Sequence, residues 1–145
     1  MKKFMPAAAA MLMALTGCGT TQQSLKDAEL VPPARRLAFS GQATGGAGTL
    51  VVARDKGFPS GKCFTAFYIN NVLAARFAVG EAAAFVVPAG EVTLRYAADP
   101  EGRGLCTGES GSTVIRETVL RPGEQKQFRL MISGEGVFDI QRAAP

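Results

Sequence analysis

Residues 63–77 read CFTAFYINNVLAARF. In an extended chain Cys63, Thr65, Phe67 and Ile69 share one side, while Phe64, Ala66 and Tyr68 share the other. That period of two marks a half-buried strand. Asn70-Asn71 follows, and Val72 to Phe77 returns as a second extended run. Asparagine tolerates positive φ better than most residues, and a two-residue hairpin turn needs positive φ at both positions. The stretch therefore predicts a β-hairpin.

The same punctuation continues outward. Leu50 to Arg54, Ala83 to Val87, Glu91 to Ala97, Thr113 to Leu120, Gln127 to Ile132 and Val137 to Gln141 are short β-like runs. Turn residues separate them. Val87-Pro88-Ala89-Gly90 suits a type I turn, Arg121-Pro122-Gly123-Glu124 a type II turn, and Ser133 to Gly136 a further turn. The longest helix-compatible run outside the N-terminus, Ala74 to Ala84, is interrupted by Gly80. The expected fold is all-β: a small antiparallel β-sandwich or barrel of about eight short strands over 49–142, with a tail at 143–145. Phe67, Phe85, Leu94, Leu130 and Ile140 are expected in its core, together with Val51, Leu73, Ile115 and Val119.

The order Tyr68-Ile69-Asn70-Asn71, then Phe85-Val86-Val87-Pro88-Ala89-Gly90-Glu91-Val92, resembles PEGA-like small envelope β domains. Asn71 stands where those domains usually carry glycine. The resemblance covers about Thr49 to Arg142 and implies a β-sandwich at the cell envelope. It brings no catalytic residues with it.

The N-terminus reads as an address. Lys2 and Lys3 precede an apolar run from Phe4 to Leu15, the order of a secretory signal. The run is shorter than the roughly 20 residues needed to span a bilayer. Leu15-Thr16-Gly17-Cys18 resembles the lipobox of bacterial lipoproteins. That resemblance implies cleavage between Gly17 and Cys18, a diacylglycerol on the Cys18 thiol, and a palmitate-type acyl chain on the new amine. Several acyl chains are what stable anchoring requires. Gly19, rather than aspartate, after the cysteine implies the outer membrane, facing the periplasm. Residues 1–17 are then a cleaved signal. Residues 18–48, with the glycine-rich GQATGGAG at 41–48, are read as the lipidated N-terminus and a flexible tether.

The chain has 145 residues, with 16 Lys and Arg against 12 Asp and Glu. Two of those lysines leave with the signal, so the mature side-chain charge is near neutral, which gives no case for nucleic-acid binding. Histidine is absent, which excludes His-ligated metal sites and the Ser-His and Cys-His mechanisms. With Cys18 lipidated, Cys63 and Cys106 remain in a compartment that permits disulfides. Pairing would close a loop of about 44 residues, valued at about 4 kcal/mol by chain entropy. Two buried thiols, or a redox or nucleophilic site, are the alternatives.

Other polar clusters offer little chemistry. Asp99 and Glu101 supply two carboxylates, fewer than a calcium loop needs; a turn is expected there. Arg54-Asp55-Lys56-Gly57 is read as a solvated turn. Ser60 and Lys62 lack the Ser-x-x-Lys spacing of acyl-serine enzymes, and Ser110 and Ser112 have no base beside them. No cofactor or metal and no catalytic residue is expected. The expected role is a non-catalytic structural or protein-interaction module of the envelope, with an envelope protein as partner. The alternative is an inhibitor of a periplasmic or external hydrolase, of the lysozyme-inhibitor type, or a small-ligand binder.

Overall fold

The computed structural model describes residues 20–57, 61–107 and 113–144. Among them, nine strands form two sheets: β1 Glu29–Leu30, β2 Ala47–Arg54, β3 Thr65–Ile69, β4 Val72–Phe77, β5 Glu81–Pro88, β6 Gly90–Ala98, β7 Val114–Leu120, β8 Gln125–Ile132 and β9 Phe138–Arg142. One sheet runs β1-β5-β2-β8-β9 and the other β4-β3-β6-β7. The second sheet is antiparallel throughout, whereas β1 with β5 and β2 with β8 pair in parallel. No helix among the described residues is long and apolar enough to cross a membrane. The signal segment, Gly17 and Cys18 lie outside the described residues.

The hairpin at 63–77 forms as its sequence predicts. Asn70 and Asn71 take φ of 49° and 64°, and Ile69 pairs directly with Val72. The Asn70 side-chain carbonyl also accepts the Thr93 N–H at 2.9 Å, which ties the turn to β6. At Arg121–Glu124, Gly123 has φ of 73° and the Glu124 N–H bonds back to the Arg121 carbonyl at 3.0 Å, the type II arrangement. The Ser133–Gly136 turn closes the β8–β9 hairpin through Ser133 N–H to Val137 O at 2.9 Å.

The Val87–Gly90 expectation needs correction. Pro88 remains in β5, paired with Ala47, and Ala89 alone links it to Gly90 at the start of β6. The chain does not double back here; it crosses from one sheet to the other. Gly90 absorbs the corner at φ of 132°, a conformation side-chain-bearing residues rarely adopt.

The core lies between the sheets. Phe67, Phe77 and Phe85 meet pairwise with centroids 5.8–6.3 Å apart, within the favourable range for tilted and edge-on rings. Leu50, Val52, Leu94, Leu130 and Ile132 complete it, each fully or almost fully buried. Burial of each large side chain contributes roughly 1.5–3 kcal/mol. Four expected core residues are elsewhere. Val51 and Leu73 are only partly covered, and Ile115 and Val119 are 55% and 57% exposed. In β2 the inward residues are Leu50 and Val52, one step out of phase with Val51. In β4 a register shift opposite Phe67/Tyr68 turns Ala74, Ala75 and Phe77 inward instead of Leu73. In β7 both faces carry apolar residues, and Leu120 faces in.

Residues 20–48 are not a free tether. Val31 is buried, β1 adds to β5, and 35–38 cross the open seam between the sheets. There the Leu37 and Ala38 N–H groups bond to the Ala74 carbonyl of β4, while the Arg36 guanidinium reaches the Ala84 carbonyl of β5. The edge of β4 is thereby occupied, which removes a site for edge-to-edge aggregation. The glycine-rich stretch also ends early, since β2 begins at Ala47. Proline at the start of the 33–35 turn fits its first position, but the backbone hydrogen bonds to both sheets hold the segment down.

Candidate interaction surface

Three buried carboxylates each meet an arginine fork. Glu81 receives both Arg35 terminal nitrogens, at 2.6 and 2.5 Å, and the Ala78 N–H at 2.7 Å. Asp99 takes Arg76 through Nε at 3.0 Å and again through Nη2. Asp55 takes Arg129 through Nε at 3.2 Å and Nη2, and the Thr20 hydroxyl at 3.3 Å. Planar two-point pairing lets a buried carboxylate keep its charge without water. The Asp99 pairing raises the Arg76 pKa above its usual range.

These pairs correct one expectation and refine another. Arg54 and Asp55 are not solvated; they are 2% and 1% exposed. Nor do they serve each other. Arg54 donates to the carbonyls of Cys63 at 2.7 Å and Phe77 at 2.8 Å, and burial lowers its pKa despite the opposing influence of Tyr96 and Glu81. The loop at Asp99 is a turn, as expected, closed by Gly102 N–H to Asp99 O at 2.9 Å, but the Asp99 carboxylate is buried and occupied by Arg76. Glu101 bridges to the same arginine at 2.8 Å. Among the described residues no group of three or more His, Cys, Asp or Glu side chains is placed to hold a metal ion. Ser60, Ser110 and Ser112 lie outside the described residues, and Lys62 is exposed.

Cys63 and Cys106 form a disulfide, with Cα atoms 5.3 Å apart. It fastens the 99–107 loop to the entrance of β3. The loop folds so closely that a Cβ on Gly102 would sit 1.9 Å from the Cys106 carbonyl oxygen. Next to the disulfide, the Phe64 ring lies 4.5 Å from the Arg35 guanidinium and 5.4 Å from that of Arg76. One aromatic side chain thus joins two of the three forks.

The outward face of the four-stranded sheet carries three residues expected in the core, Leu73, Ile115 and Val119. Strand register aligns Leu73, Tyr68, Arg95 and Ile115 in one row across β4, β3, β6 and β7. The Arg95 guanidinium stacks on the Tyr68 ring at 3.4 Å, which holds a long side chain flat against the sheet. Further along, Glu91 pairs with Val119 and Thr93 with Glu117. They line a groove of about 400 Å³. A second crevice, about 510 Å³, runs between Gln22–Lys26 and the other sheet at Ala53, Gln127 and Arg129.

The free margin of β7 is held as well. Arg116 reaches Asp139 on β9 at 2.5 Å, and Lys126 from β8 bonds the Thr118 hydroxyl at 3.1 Å and the Val119 carbonyl. The sheet face is therefore open while its edge is occupied. A partner would meet side chains there, not unpaired backbone.

No family model, curated protein or solved structure matches the chain.

Proposed function

We propose that the protein is a lipid-anchored cell-envelope lipoprotein, held through Cys18 in the outer membrane and facing the periplasm. It acts as a non-catalytic module that binds another envelope protein. The row Leu73, Tyr68, Arg95 and Ile115 carries the binding part of this reading. Tyrosine and arginine are enriched where proteins meet, and here both are set on rigid strands. Ile115 and Val119 stand exposed beside them. The anchoring part rests on Leu15-Thr16-Gly17-Cys18. The Cys63–Cys106 disulfide and the resemblance to envelope β domains support the same compartment.

Crosslinking in intact cells, followed by pull-down of the acylated protein and mass spectrometry, tests this reading. One dominant protein partner is expected, lost when Arg95→Glu and Ile115→Asp are combined. Identity of that partner separates an assembly component from a hydrolase inhibited by the module. Absence of any partner above background, or a partner that the double variant retains, contradicts the assignment of this face.

A further inference from the structure

Thr20 is wedged between the ends of β2 and β8. Its N–H donates to Ile132 O at 3.3 Å, and its Oγ1 accepts the Ile132 N–H at 3.2 Å and donates to Asp55 at 3.3 Å. Thr21 exchanges two backbone hydrogen bonds with Lys56, at 2.6 and 2.9 Å. A side-chain and backbone clamp of this kind holds Thr20 and Thr21 to the ends of β2 and β8.

We propose that this end of the sandwich rests directly on the phospholipid headgroups, so that the molecule stands upright on the bilayer. The inference rests on lipidation of Cys18. After cleavage before Cys18 only two residues, Cys18 and Gly19, precede Thr20, and two extended residues reach about 7 Å. The headgroup layer is itself about 5–8 Å thick on each side of the hydrocarbon core. A lipid seated at the hydrocarbon boundary therefore holds Thr20 no further out than the outer margin of the headgroups. Whatever surrounds Thr20 must touch them.

The strand registers say what surrounds it. β2 ends here at Arg54, followed by Asp55 and Lys56, and β8 ends here at Ile132, followed by the turn to Val137, which is 51% exposed. Arg54 reaches the carbonyls of Cys63 and Phe77, which places the start of β3 and the end of β4 at the same end. The disulfide brings the 99–107 loop with them. At that loop's tip Leu105 projects fully into solvent, at 103% relative exposure. Its neighbour Cys106 cannot swing away, since it is bonded to Cys63. Lys56, Lys62 and Arg103 are exposed at this end, with Glu29, Glu101 and Glu135 the acids beside them. An exposed leucine on a pinned loop, among lysine, arginine and glutamate side chains, suits a phospholipid headgroup layer, where an apolar group enters the interface and cations meet phosphate. Pro88–Gly90 and the Arg121–Glu124 turn occupy the opposite end. The Tyr68–Arg95–Ile115 face lies along the side, clear of the bilayer and open to a protein.

The test uses the full chain, processed in cells and purified into phosphatidylethanolamine–phosphatidylglycerol nanodiscs containing a gadolinium-chelating lipid. Backbone amide signals are read by NMR, beside an intact mass of the same sample. Selective loss of the Lys56, Leu105 and Val137 signals, with those of Gly90 and Gly123 retained, is the expected result. A twelve-residue Gly-Ser insertion between Gly19 and Thr20, with a reach of about 20 Å, should abolish that selectivity. Equal loss at both ends in an acylated sample, or selectivity that survives the insertion, overturns the upright, short-leashed arrangement and leaves the anchor intact. A mass without acyl groups overturns the anchoring itself.

Discussion

Arg35 and Glu81 lie 46 residues apart and meet in a two-point ion pair that joins the segment ahead of β2 to the first residue of β5. Arg35 also donates to the Arg76 carbonyl at 3.0 Å and lies over Phe64. One side chain thus links the N-terminal strap to both sheets.

Removing that arginine should cost more than removing both partners. Arg35→Ala leaves the Glu81 carboxylate buried with the Ala78 N–H alone among the bonds described, and a loss of about 3 kcal/mol is expected. The pair Arg35→Met with Glu81→Met should lose clearly less. Urea titration of Arg35→Met, Glu81→Met and the double variant closes the cycle. Additive losses would show that the pair is not coupled.

The disulfide should matter on the scale of loop closure. Its cysteines are 43 residues apart in sequence. Replacing both by serine should lower stability by about 4 kcal/mol in the chain-entropy model. It should also loosen the 99–107 loop, seen as faster amide exchange at Gly102 and Cys106→Ser. Thiol labelling of the denatured, unreduced wild type should find neither cysteine reactive.

Tyr96 should make the fold sensitive to alkali. Its ring stacks on Phe138 at 4.8 Å. Its hydroxyl is buried without a partner in hydrogen-bonding geometry among the described residues, beside Arg54 and Thr65. Burial pushes the phenol above its usual pKa, and the charge of Arg54 only partly opposes this. The neutral phenol is therefore favoured in the folded state. Its stabilisation is present below about pH 10, the unfolded value, and is lost as pH rises through the folded value. Tyr96→Phe should flatten the alkaline limb of the stability profile while changing stability at pH 7 by no more than about 1.5 kcal/mol, the net worth of an ordinary hydrogen bond. An unchanged limb would assign the alkaline loss to another group.

Exposure of β7 has a direct stability consequence. Ile115→Asp should change stability by no more than about 0.5 kcal/mol, as substitutions at open surface positions do. Leu50→Ala should lose about 3 kcal/mol, because it opens a cavity between the sheets. Comparable losses for the two would return Ile115 to the core.

Ile115 also shows where sequence reading stops. The hairpin at 63–77 was legible because its turn chemistry and its period of two agree. Strand positions and the type II turn at Arg121–Glu124 were legible for similar local reasons, and the Cys63–Cys106 pairing from the count of cysteines left once Cys18 is set aside. In β7, however, apolar residues fall on both faces, at 114 and 120 and at 115 and 119, so alternation alone cannot choose the inward side. Phase errors at Val51 and Leu73 arose the same way, since local pattern carries no record of sheet partners or of the register shift in β4. The forks were hidden for another reason. Arg76–Asp99 spans 23 residues and Arg129–Asp55 spans 74; nothing in the neighbourhood of either carboxylate announces its arginine. The strap at 31–39 read as a short proline-started turn within a tether, and only the seam between the sheets explains why it is held.

Intact-mass measurement of the protein extracted from cell membranes tests the central claim most directly. The account predicts a mature chain that begins at Cys18, carries diacylglycerol and an N-acyl chain there, and is replaced by an unprocessed precursor in Cys18→Ala. A chain cut elsewhere and free of lipid, or a Cys18→Ala variant processed and anchored as before, would contradict it.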